Sequence, residues 1–505
     1  MGYFNKIRMT ITNNATTSQD RKDKSAVGDR LEALLAHQQR LLPQACQAQR
    51  FRGAMIAEQR VDVRLNRLLP AARTFADDLR SLCEPVPWCD DALRLPPDLA
   101  AMASHSLEFR LGALYLQAKA TTLAVRALDP RPGELVLDLA AAPGGKATQI
   151  ATAMGNTGVL VANEPRNKRV AALVGNLERC GARNALVTSV LGSQLARSFH
   201  NVFDRVLLDA PCSGDGIVCK GRHMLSFWSP EDAVEKSVLQ IGLLRAAFHM
   251  LRPGGRLVYS TCSLSTEENE DVLIGLQKRY GDLVDIHQVP HLTDGGLAPD
   301  IAAHYPASFS GCARVWPHLH ATEGAFVAII GKLAESQWNT IEEDAGALLR
   351  HEAEPPKDPD GWSLQLAARW DFEPDIPDGY ELVGQGRHLH LRPAGAARLA
   401  HLPWYVRSGM RVAGLHKGHF YLSQQAVALW GGQVQQRRLD IDWPQLQTLF
   451  RGDASPVASL RLTGEVVCFY EDLPICRGVV SRDGTTLEAY VPKIARTDRL
   501  TRILK

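Results

Sequence analysis

Short apolar runs alternate with amphipathic segments between residues 117 and 332. Seven such runs predict strands at 134–140, 158–164, 185–190, 204–210, 255–261, 282–287 and 324–331. Between them, one helical pattern ends before Gly181 and another begins at Ser229, with Pro230 in the first helical position. Strands that alternate with helices predict an α/β core with a doubly wound, largely parallel sheet.

The flanking segments have different patterns, which divide the chain. Residues 1–28 are polar and predict a disordered tail, and residues 29–116 begin with helical patterns and continue as a mixed α+β segment. Residues 333–378 are acidic and rich in proline, which predicts a linker. Residues 379–505 carry short strand patterns with Gly/Asp turns, which predict a mainly β C-terminal region.

Composition limits the classes of partner. The 505 residues are 45% hydrophobic and have a formal net charge of +2, so any nucleic-acid binding must come from local patches. One such patch is the segment 482–505, with six Lys+Arg against three Asp+Glu. No apolar run is long enough to span a bilayer, and no C-x-x-C pair or zinc-ligand spacing occurs. We therefore expect a cytoplasmic protein without membrane or metal.

The stretch "LVLDLAAAPGGKATQIA" predicts a strand, a loop of small residues and a helix. Small residues let a ligand approach the backbone, and the following helix offers unpaired N–H groups. Glu164 follows the next strand and is placed to accept hydrogen bonds from two ribose hydroxyls. This pattern suits NAD and S-adenosylmethionine equally well.

Two cysteines follow predicted strands, Cys212 in "DAPCSGDG" and Cys262 in "STCSLSTEENE". Ser265 and Glu268 stand at capping-box spacing before the next helix. Addition of a thiolate to carbon 6 of cytosine makes carbon 5 nucleophilic, a carboxyl group at ring N3 promotes that addition, and a base must later remove the carbon 5 proton. Asp209 supplies the carboxyl group, and the chemistry alone leaves open which thiol attacks.

The chain resembles RNA cytosine-C5 methyltransferases through "DLAAAPGGK", "ANEPRNKRVAALVGNLERCG", "DAPCSGDG", "LRPGGRLVYSTCSLSTEENE" and "EGAFVA". These motifs occur in that family's order within residues 117–332. Residues 63–70 and 111–122 are similar to the family's N-terminal RNA-binding segment, and residues beyond 379 to the PUA-like RNA-binding end of its bacterial rRNA members. The resemblance implies a Rossmann-like methyltransferase core over 117–332, preceded by an RNA-binding domain over 29–116.

The resemblance also implies roles for single residues. Cys262 would be the nucleophile, Cys212 would assist product release, and Asp209 would hydrogen-bond the cytosine, with Lys146 nearby. S-adenosylmethionine would be held by Ala140, Ala141, Ala142, Pro143, Gly144, Gly145, Lys146, Glu164 and Asp209. The substrate implied is a cytidine of small-subunit (16S) rRNA, as naked RNA or in a 30S particle, and we expect a monomer.

Two alternatives stay open. Leu191 stands where the family carries an aspartate that contacts the cofactor adenosine, which favours a non-catalytic RNA-binding or ribosome-assembly factor. A tRNA substrate is the other alternative, because the chemistry would be the same. Arg64, Lys220 and Arg222 are candidate contacts to the RNA backbone.

Overall fold

The computed structural model describes residues 18–57, 60–221, 225, 228–292, 296–334, 361–397, 399, 405–457, 462–492 and 495–503. Its N-terminal part contains α1 (Ser18–Gln39), α2 (Ala48–Ile56), β1 (Asp62–Leu65), α3 (Pro70–Leu82), β2 (Glu84–Val86), β3 (Cys89–Arg94), α4 (Pro97–Ala103), α5 (Leu107–Arg110) and β4 (Leu114–Leu116). The four strands form an antiparallel sheet in the order β2-β3-β1-β4. This part is α+β, as predicted.

Helix α1 corrects the expected boundary at residue 28. Residues 18–28 form its first turns, while residues 1–17 of the expected tail lie outside the described residues. Further along α1, Leu31, Leu34 and Leu35 are buried in a cluster with Trp228 and Trp316. Packing of the apolar stripe stabilises the whole helix, including its polar first turns. A boundary placed from polar composition alone therefore lies after the true start of the helix.

The central part contains α6 (Lys119–Leu128), β5 (Leu135–Asp138), α7 (Gly145–Ala153), β6 (Val159–Asn163), α8 (Asn167–Arg179), β7 (Ala185–Thr188), α9 (Gly192–Ser198), β8 (Phe203–Asp209), α10 (Pro230–Met250), β9 (Leu251–Thr261), α11 (Glu270–Tyr280), β10 (Val284–His287), α12 (Pro299–Ala302), β11 (Ala313–Val315), α13 (Pro317–His320) and β12 (Ala325–Lys332). All seven predicted strands are present. Their sheet has the order β10-β12-β9-β8-β5-β6-β7, with the run from β9 to β7 parallel and with β12 and β10 antiparallel.

The sheet is buried on both faces. One apolar cluster joins residues of β5 and β6 to helices α6 and α7, and a second joins β8 and β9 to helices α10 and α11. Helices on both faces of a mostly parallel sheet confirm the predicted doubly wound α/β core. None of the helices in the described ranges is both long and apolar enough to cross a membrane.

The C-terminal part contains α14 (Trp362–Trp370), β13 (Tyr380–Gln385), β14 (His388–Pro393), β15 (Tyr405–Ser408), β16 (Met410–His416), β17 (His419–Leu422), α15 (Gln424–Trp430), β18 (Arg438–Asp440), α16 (Trp443–Arg451), β19 (Ser455–Pro456), β20 (Gly464–Tyr470), β21 (Leu473–Val480) and β22 (Thr486–Ala489). Two sheets, β13-β14-β16-β17 and β18-β20-β21-β22-β19, make it mainly β, as predicted. Strand β15 instead pairs antiparallel with β7, at the edge of the central sheet.

Helix α14 corrects the predicted linker at 333–378. Its Leu366 and Trp370 are fully buried among the C-terminal strands, and Trp362 packs on Phe420 with ring centroids 5.1 Å apart. These apolar residues lie just beyond the acidic stretch that suggested a linker, and burial rather than local composition decides their structure. Residues 335–360 of the predicted linker lie outside the described ranges.

Arg64 is a structural residue and not a surface contact for RNA. It is 1% exposed, and its guanidinium donates to Gln117 Oε1 (3.0 Å) and, on α7, to Thr148 Oγ1 (2.7 Å) and Thr152 Oγ1 (3.3 Å). Its position on the inward face of β1 removes it from solvent, which the sequence alone did not indicate. Arg64 therefore joins the N-terminal sheet to the helix that follows the small-residue loop.

We expect Arg64→Met to lower the free energy of unfolding by about 2–4 kcal/mol, because two buried acceptors and one partly buried acceptor lose a charged donor. Urea denaturation measures this loss. The salt dependence of RNA binding should not change, since no phosphate contact is removed. Arg131→Met is the control, because that side chain is 68% exposed and should change stability by less than about 0.5 kcal/mol. A weaker salt dependence of RNA binding in Arg64→Met would contradict the structural role given to Arg64.

Candidate active site

The parallel pairing of β8 with β9 brings the two cysteines together. Asp209, the last residue of β8, lies opposite Ser260, and Cys212 and Cys262 follow in the loops beyond. The two sulfur atoms are 2.8 Å apart, and the Cys262 backbone N–H donates to Cys212 Sγ at 3.3 Å. Both side chains are free thiols and partly exposed, so a substrate has access to them.

An ion pair lies beside the thiols. Lys146 Nζ at the start of α7 donates to Asp209 Oδ2 (2.7 Å), and Ser260 Oγ donates to Asp209 Oδ1 (2.8 Å). Burial alone would lower the pKa of Lys146, but the Asp209 carboxylate raises it above its ordinary value, with a smaller contribution from Cys262. A fixed positive charge therefore lies beside Cys262, where it would stabilise an anion that forms during a reaction.

The pKa of Cys212 is shifted by its position in the site. The hydrogen bond with Cys262, followed by burial, raises the pKa of Cys212 well above its ordinary value. Cys212 therefore holds its proton more tightly than an ordinary thiol. The arrangement can present Cys262 as the nucleophile while Cys212 holds a proton.

Two buried carboxylates fasten the cysteine loops to each other. Glu268 lies beyond Cys262 but accepts hydrogen bonds from the Ser213 backbone N–H (2.9 Å) and Ser213 Oγ (2.5 Å) beside Cys212. Asp215 lies beyond Cys212 but accepts from the Leu264 N–H (2.7 Å) and Ser265 Oγ (2.5 Å) beside Cys262. Burial raises the pKa of both carboxyl groups. The crossed pairs fix the distance between the thiols.

These bonds correct the predicted capping box. Helix α11 begins at Glu270 after Asn269, and neither Ser265 nor Glu268 caps it, because both side chains bind the loop that carries Cys212. The sequence analysis therefore missed Asp215 and Glu268 as site residues. Their presence inside the two cysteine motifs was the available signal, but a capping pattern has the same spacing as this long-range contact.

The backbone approaches closely under the thiols. Gly216 N–H donates to the Cys262 carbonyl (3.0 Å), and Gly324 N–H donates to the Gly216 carbonyl (2.8 Å). A Cβ on Gly216 would stand 2.7 Å from the Cys262 oxygen and 3.0 Å from the Gly324 Cα. Glycine is required here, and this contact explains why the motif ending at Gly216 and the motif containing Gly324 belong to one site.

The small-residue loop after β5 is held open by α8. Arg169 donates to the Ala142 carbonyl (2.5 Å), and Asn176 donates to the Pro143 carbonyl (2.9 Å). Gly144 has φ +112°, a left-handed conformation that favours glycine, and begins α7. The backbone of residues 140–146 thus forms a cradle at the carboxyl edge of the sheet, beside Lys146 and Asp209.

Asp138 is a buried carboxylate without a protein partner in this cradle. It is 1% exposed, and neither of its oxygens has a hydrogen-bond partner among the residues that the structure describes. Burial, and then the charge of Asp209, raises the pKa of Asp138 to about 7. A cationic ligand group would satisfy it. The cradle therefore fits S-adenosylmethionine, which carries an ammonium group and a sulfonium centre, and the sequence analysis did not single out Asp138.

The other predicted residues differ in their exposure to solvent. Glu164 follows β6 and is 2% exposed, and it accepts from the Arg166 N–H (2.9 Å) and pairs with Arg169 (3.2 Å). Leu191, which replaces the expected aspartate, is 57% exposed. Lys220 is half exposed and pairs with Glu323 (2.7 Å), so a role at the RNA backbone stays a prediction. Arg222 lies outside the described residues.

The chain is similar to several known proteins. The sequence profile of the family described as "16S rRNA methyltransferase RsmB/F" matches residues 125–331. The chain is 32% identical over 486 residues to the ribosomal RNA small subunit methyltransferase F of Erwinia tasmaniensis, covering 91% of this chain and 95% of that protein. It is 34% identical to the protein of the same name in Vibrio parahaemolyticus, covering 79% of this chain and 83% of that protein.

A solved structure has the same core. The crystal structure of a methyltransferase homologue from Pyrococcus horikoshii is 30% identical, with a TM-score of 0.52 over 61% of this chain and 99% of that one. Identity above 30% over nearly the whole length of a curated relative confirms the resemblance seen in the motifs. The chain therefore belongs to the 16S rRNA methyltransferase RsmB/F family.

Proposed function

We propose that the chain transfers a methyl group from S-adenosylmethionine to carbon 5 of a cytidine in small-subunit rRNA, through a covalent adduct between Cys262 and carbon 6. Family membership supports S-adenosylmethionine-dependent methylation of rRNA. The observation that carries the finer proposal is the pair of thiols 2.8 Å apart beside the Asp209–Lys146 ion pair. Methylation of an oxygen or of an exocyclic nitrogen needs no thiol, whereas carbon 5 of cytosine does.

The first step is attack by Cys262. Its sulfur forms a bond to carbon 6, and the electrons of the 5,6 double bond move to carbon 5 and toward ring N3. Asp209, held by Lys146 and Ser260, would face ring N3, and a proton passed from the Lys146 ammonium through Asp209 to N3 would neutralise this developing charge. The proton would return by the same path once the methyl group has been transferred. The target base has to leave its helix or loop to reach the two sulfurs.

The second step is release by Cys212. Carbon 5 has then taken up the methyl group, which is the chemistry that bound S-adenosylmethionine supplies. The principal cause of the raised pKa of Cys212 is its hydrogen bond with Cys262, and that cause is removed once the Cys262 sulfur is a neutral thioether. The pKa of Cys212 then falls, and its thiol loses its proton to solvent. The resulting Cys212 thiolate removes the carbon 5 proton. The electron pair restores the double bond and expels the Cys262 thiolate.

The cofactor's place follows from the cradle. The backbone of residues 140–146 would lie against S-adenosylmethionine, Asp138 would accept from its cationic end, and Glu164 would hold the ribose. The exposed Leu191 offers apolar contact in place of a carboxylate. These roles stay proposals for each residue.

Single cysteine variants should behave differently. With S-adenosylmethionine and small-subunit rRNA, Cys212→Ala should accumulate a covalent protein–RNA species on a denaturing gel, because the adduct forms but the carbon 5 proton is not removed. Turnover should fall at least 100-fold, the usual contribution of a positioned base. Cys262→Ala should form no such species and transfer no methyl group.

Cys219→Ala is the matched control, because Cys219 is a nearby thiol whose pKa burial raises to about 11. It should methylate within twofold of the unmodified chain. If the covalent protein–RNA species accumulated with Cys262→Ala but not with Cys212→Ala, the two roles would be reversed. Methylation by a chain that carries both Cys212→Ala and Cys262→Ala would refute the covalent adduct. Repeating the trap with total RNA and sequencing the trapped species decides between rRNA and tRNA.

Asp138→Asn should stabilise the cofactor-free protein while weakening its affinity for S-adenosylmethionine. The folded-state pKa of Asp138, about 7, lies above the unfolded value near 3.9, so stability is lost as the pH rises through 7. At pH 8 this loss is on the order of 2–4 kcal/mol. The melting temperature should therefore rise more at pH 8 than at pH 5. Asp129→Asn, at an exposed site, is the control, and an equal rise at both pH values would contradict the assignment.

A further inference from the structure

A cavity of about 590 Å³ lies where the N-terminal, central and C-terminal parts meet. Its wall comes from α5, α8, the segment from β17 into α15, the start of β21 and the residues after β22. This volume is typical of ligand clefts, which hold roughly 300–1,000 Å³. Neither cysteine loop contributes to the wall. We call this cavity the interdomain cleft.

The interdomain cleft is basic. Its wall contains five arginines, Arg110, Arg179, Arg411, Arg477 and Arg496, and two acidic residues, Glu178 and Asp472. Both acidic residues already form ion pairs, Glu178 with Arg407 and Asp472 with Arg438. In a chain whose net charge is only +2, this concentration of positive charge is local. An anionic ligand is therefore favoured.

Polar groups of Arg411, Gln424 and Gln425 in the wall have no hydrogen-bond partner among the described residues. Arg411 Nε is buried and has no hydrogen-bond partner among the described residues. Gln425 is 8% exposed, and its Oε1 has no partner in the same ranges. Buried polar groups are nearly always hydrogen-bonded, so the ligand should supply both an acceptor and a donor. A phosphate with a neighbouring hydroxyl or base N–H does so.

An aromatic side chain is exposed at the same place. Tyr490 is 53% exposed, and one face of its ring packs on the Arg477 guanidinium at 3.8 Å from the ring centroid. The Tyr421 ring also lies against that guanidinium, with its centroid 4.6 Å away. Arg477 is further held by Glu465 at 2.5 Å. The Tyr490 ring is thus a rigid platform on which a base can stack.

We propose that the interdomain cleft binds a single-stranded RNA segment outside the catalytic pocket, with a phosphate at Arg411 and a base on Tyr490. This proposal rests on the proposed function, since it takes RNA as the substrate. Arg179 of the cleft donates to Asn176 Oδ1 (3.2 Å), and Asn176 donates to the Pro143 carbonyl of the cofactor cradle (2.9 Å). RNA in the cleft would therefore lie one helix away from the cofactor.

The test uses the full chain with Arg411→Gln, Tyr490→Ala and Tyr490→Phe. We expect Arg411→Gln to weaken binding of small-subunit rRNA about tenfold, measured by fluorescence anisotropy, and to reduce the slope of log affinity against log salt by about one. Tyr490→Ala should weaken it about tenfold, while Tyr490→Phe keeps the affinity, because stacking needs only the ring. The KM for RNA should rise in parallel. Arg131→Gln, remote from the cleft wall, is the control.

The outcomes separate this proposal from the proposed function. If the unmodified chain methylates RNA and Cys212→Ala traps it, but the cleft variants keep their KM and salt slope, only the cleft proposal fails. If the unmodified chain neither methylates nor traps RNA, the proposed function fails first. A third arm titrates the unmodified chain with uridine monophosphate. Micromolar binding that Tyr490→Ala abolishes, with RNA affinity unchanged, would identify a mononucleotide site and overturn the RNA proposal.

Discussion

Asp209 lies opposite Ser260 in the parallel pair of β8 and β9, and this register determines where both cysteine loops leave the sheet. The crossed hydrogen bonds that Glu268 and Asp215 accept then hold the loops at one separation. Each carboxylate is buried and would be costly without its donors, so the two loops are stable only together. Because the same contacts set the distance between Cys212 and Cys262, the stability of this edge and its chemistry depend on one set of bonds.

The sequence was sufficient where its signals are local. Apolar runs located all seven central strands, Ser229 and Gly181 marked helix ends, and the motifs identified the family. It failed where long-range contacts decide. Ser265 and Glu268, which have capping-box spacing, instead form hydrogen bonds between the two cysteine loops. Arg64 is buried against α7. Helix α14 belongs to the C-terminal core and not to a linker. None of these could be read from spacing, since each partner lies far away in the chain.

The central sheet is also where the parts of the chain join. Arg64 connects the N-terminal sheet to α7, and β15 extends the central sheet from the C-terminal side by pairing with β7. Helix α8 contacts the cofactor cradle through Asn176 and lines the interdomain cleft with Arg179. The interdomain cleft and the thiol pocket are therefore connected through the central sheet and α8. A large folded RNA could contact both of them at once.

We have proposed that methylation occurs at carbon 5 through loss of that carbon's proton. It is tested most directly with small-subunit rRNA that carries tritium at carbon 5 of its cytidines, incubated with the unmodified chain and S-adenosylmethionine. The account predicts that one tritium is released to water for each methyl group incorporated. Incorporation of methyl groups with full retention of tritium would place the modification elsewhere on the RNA and contradict the roles given to Cys262 and Cys212.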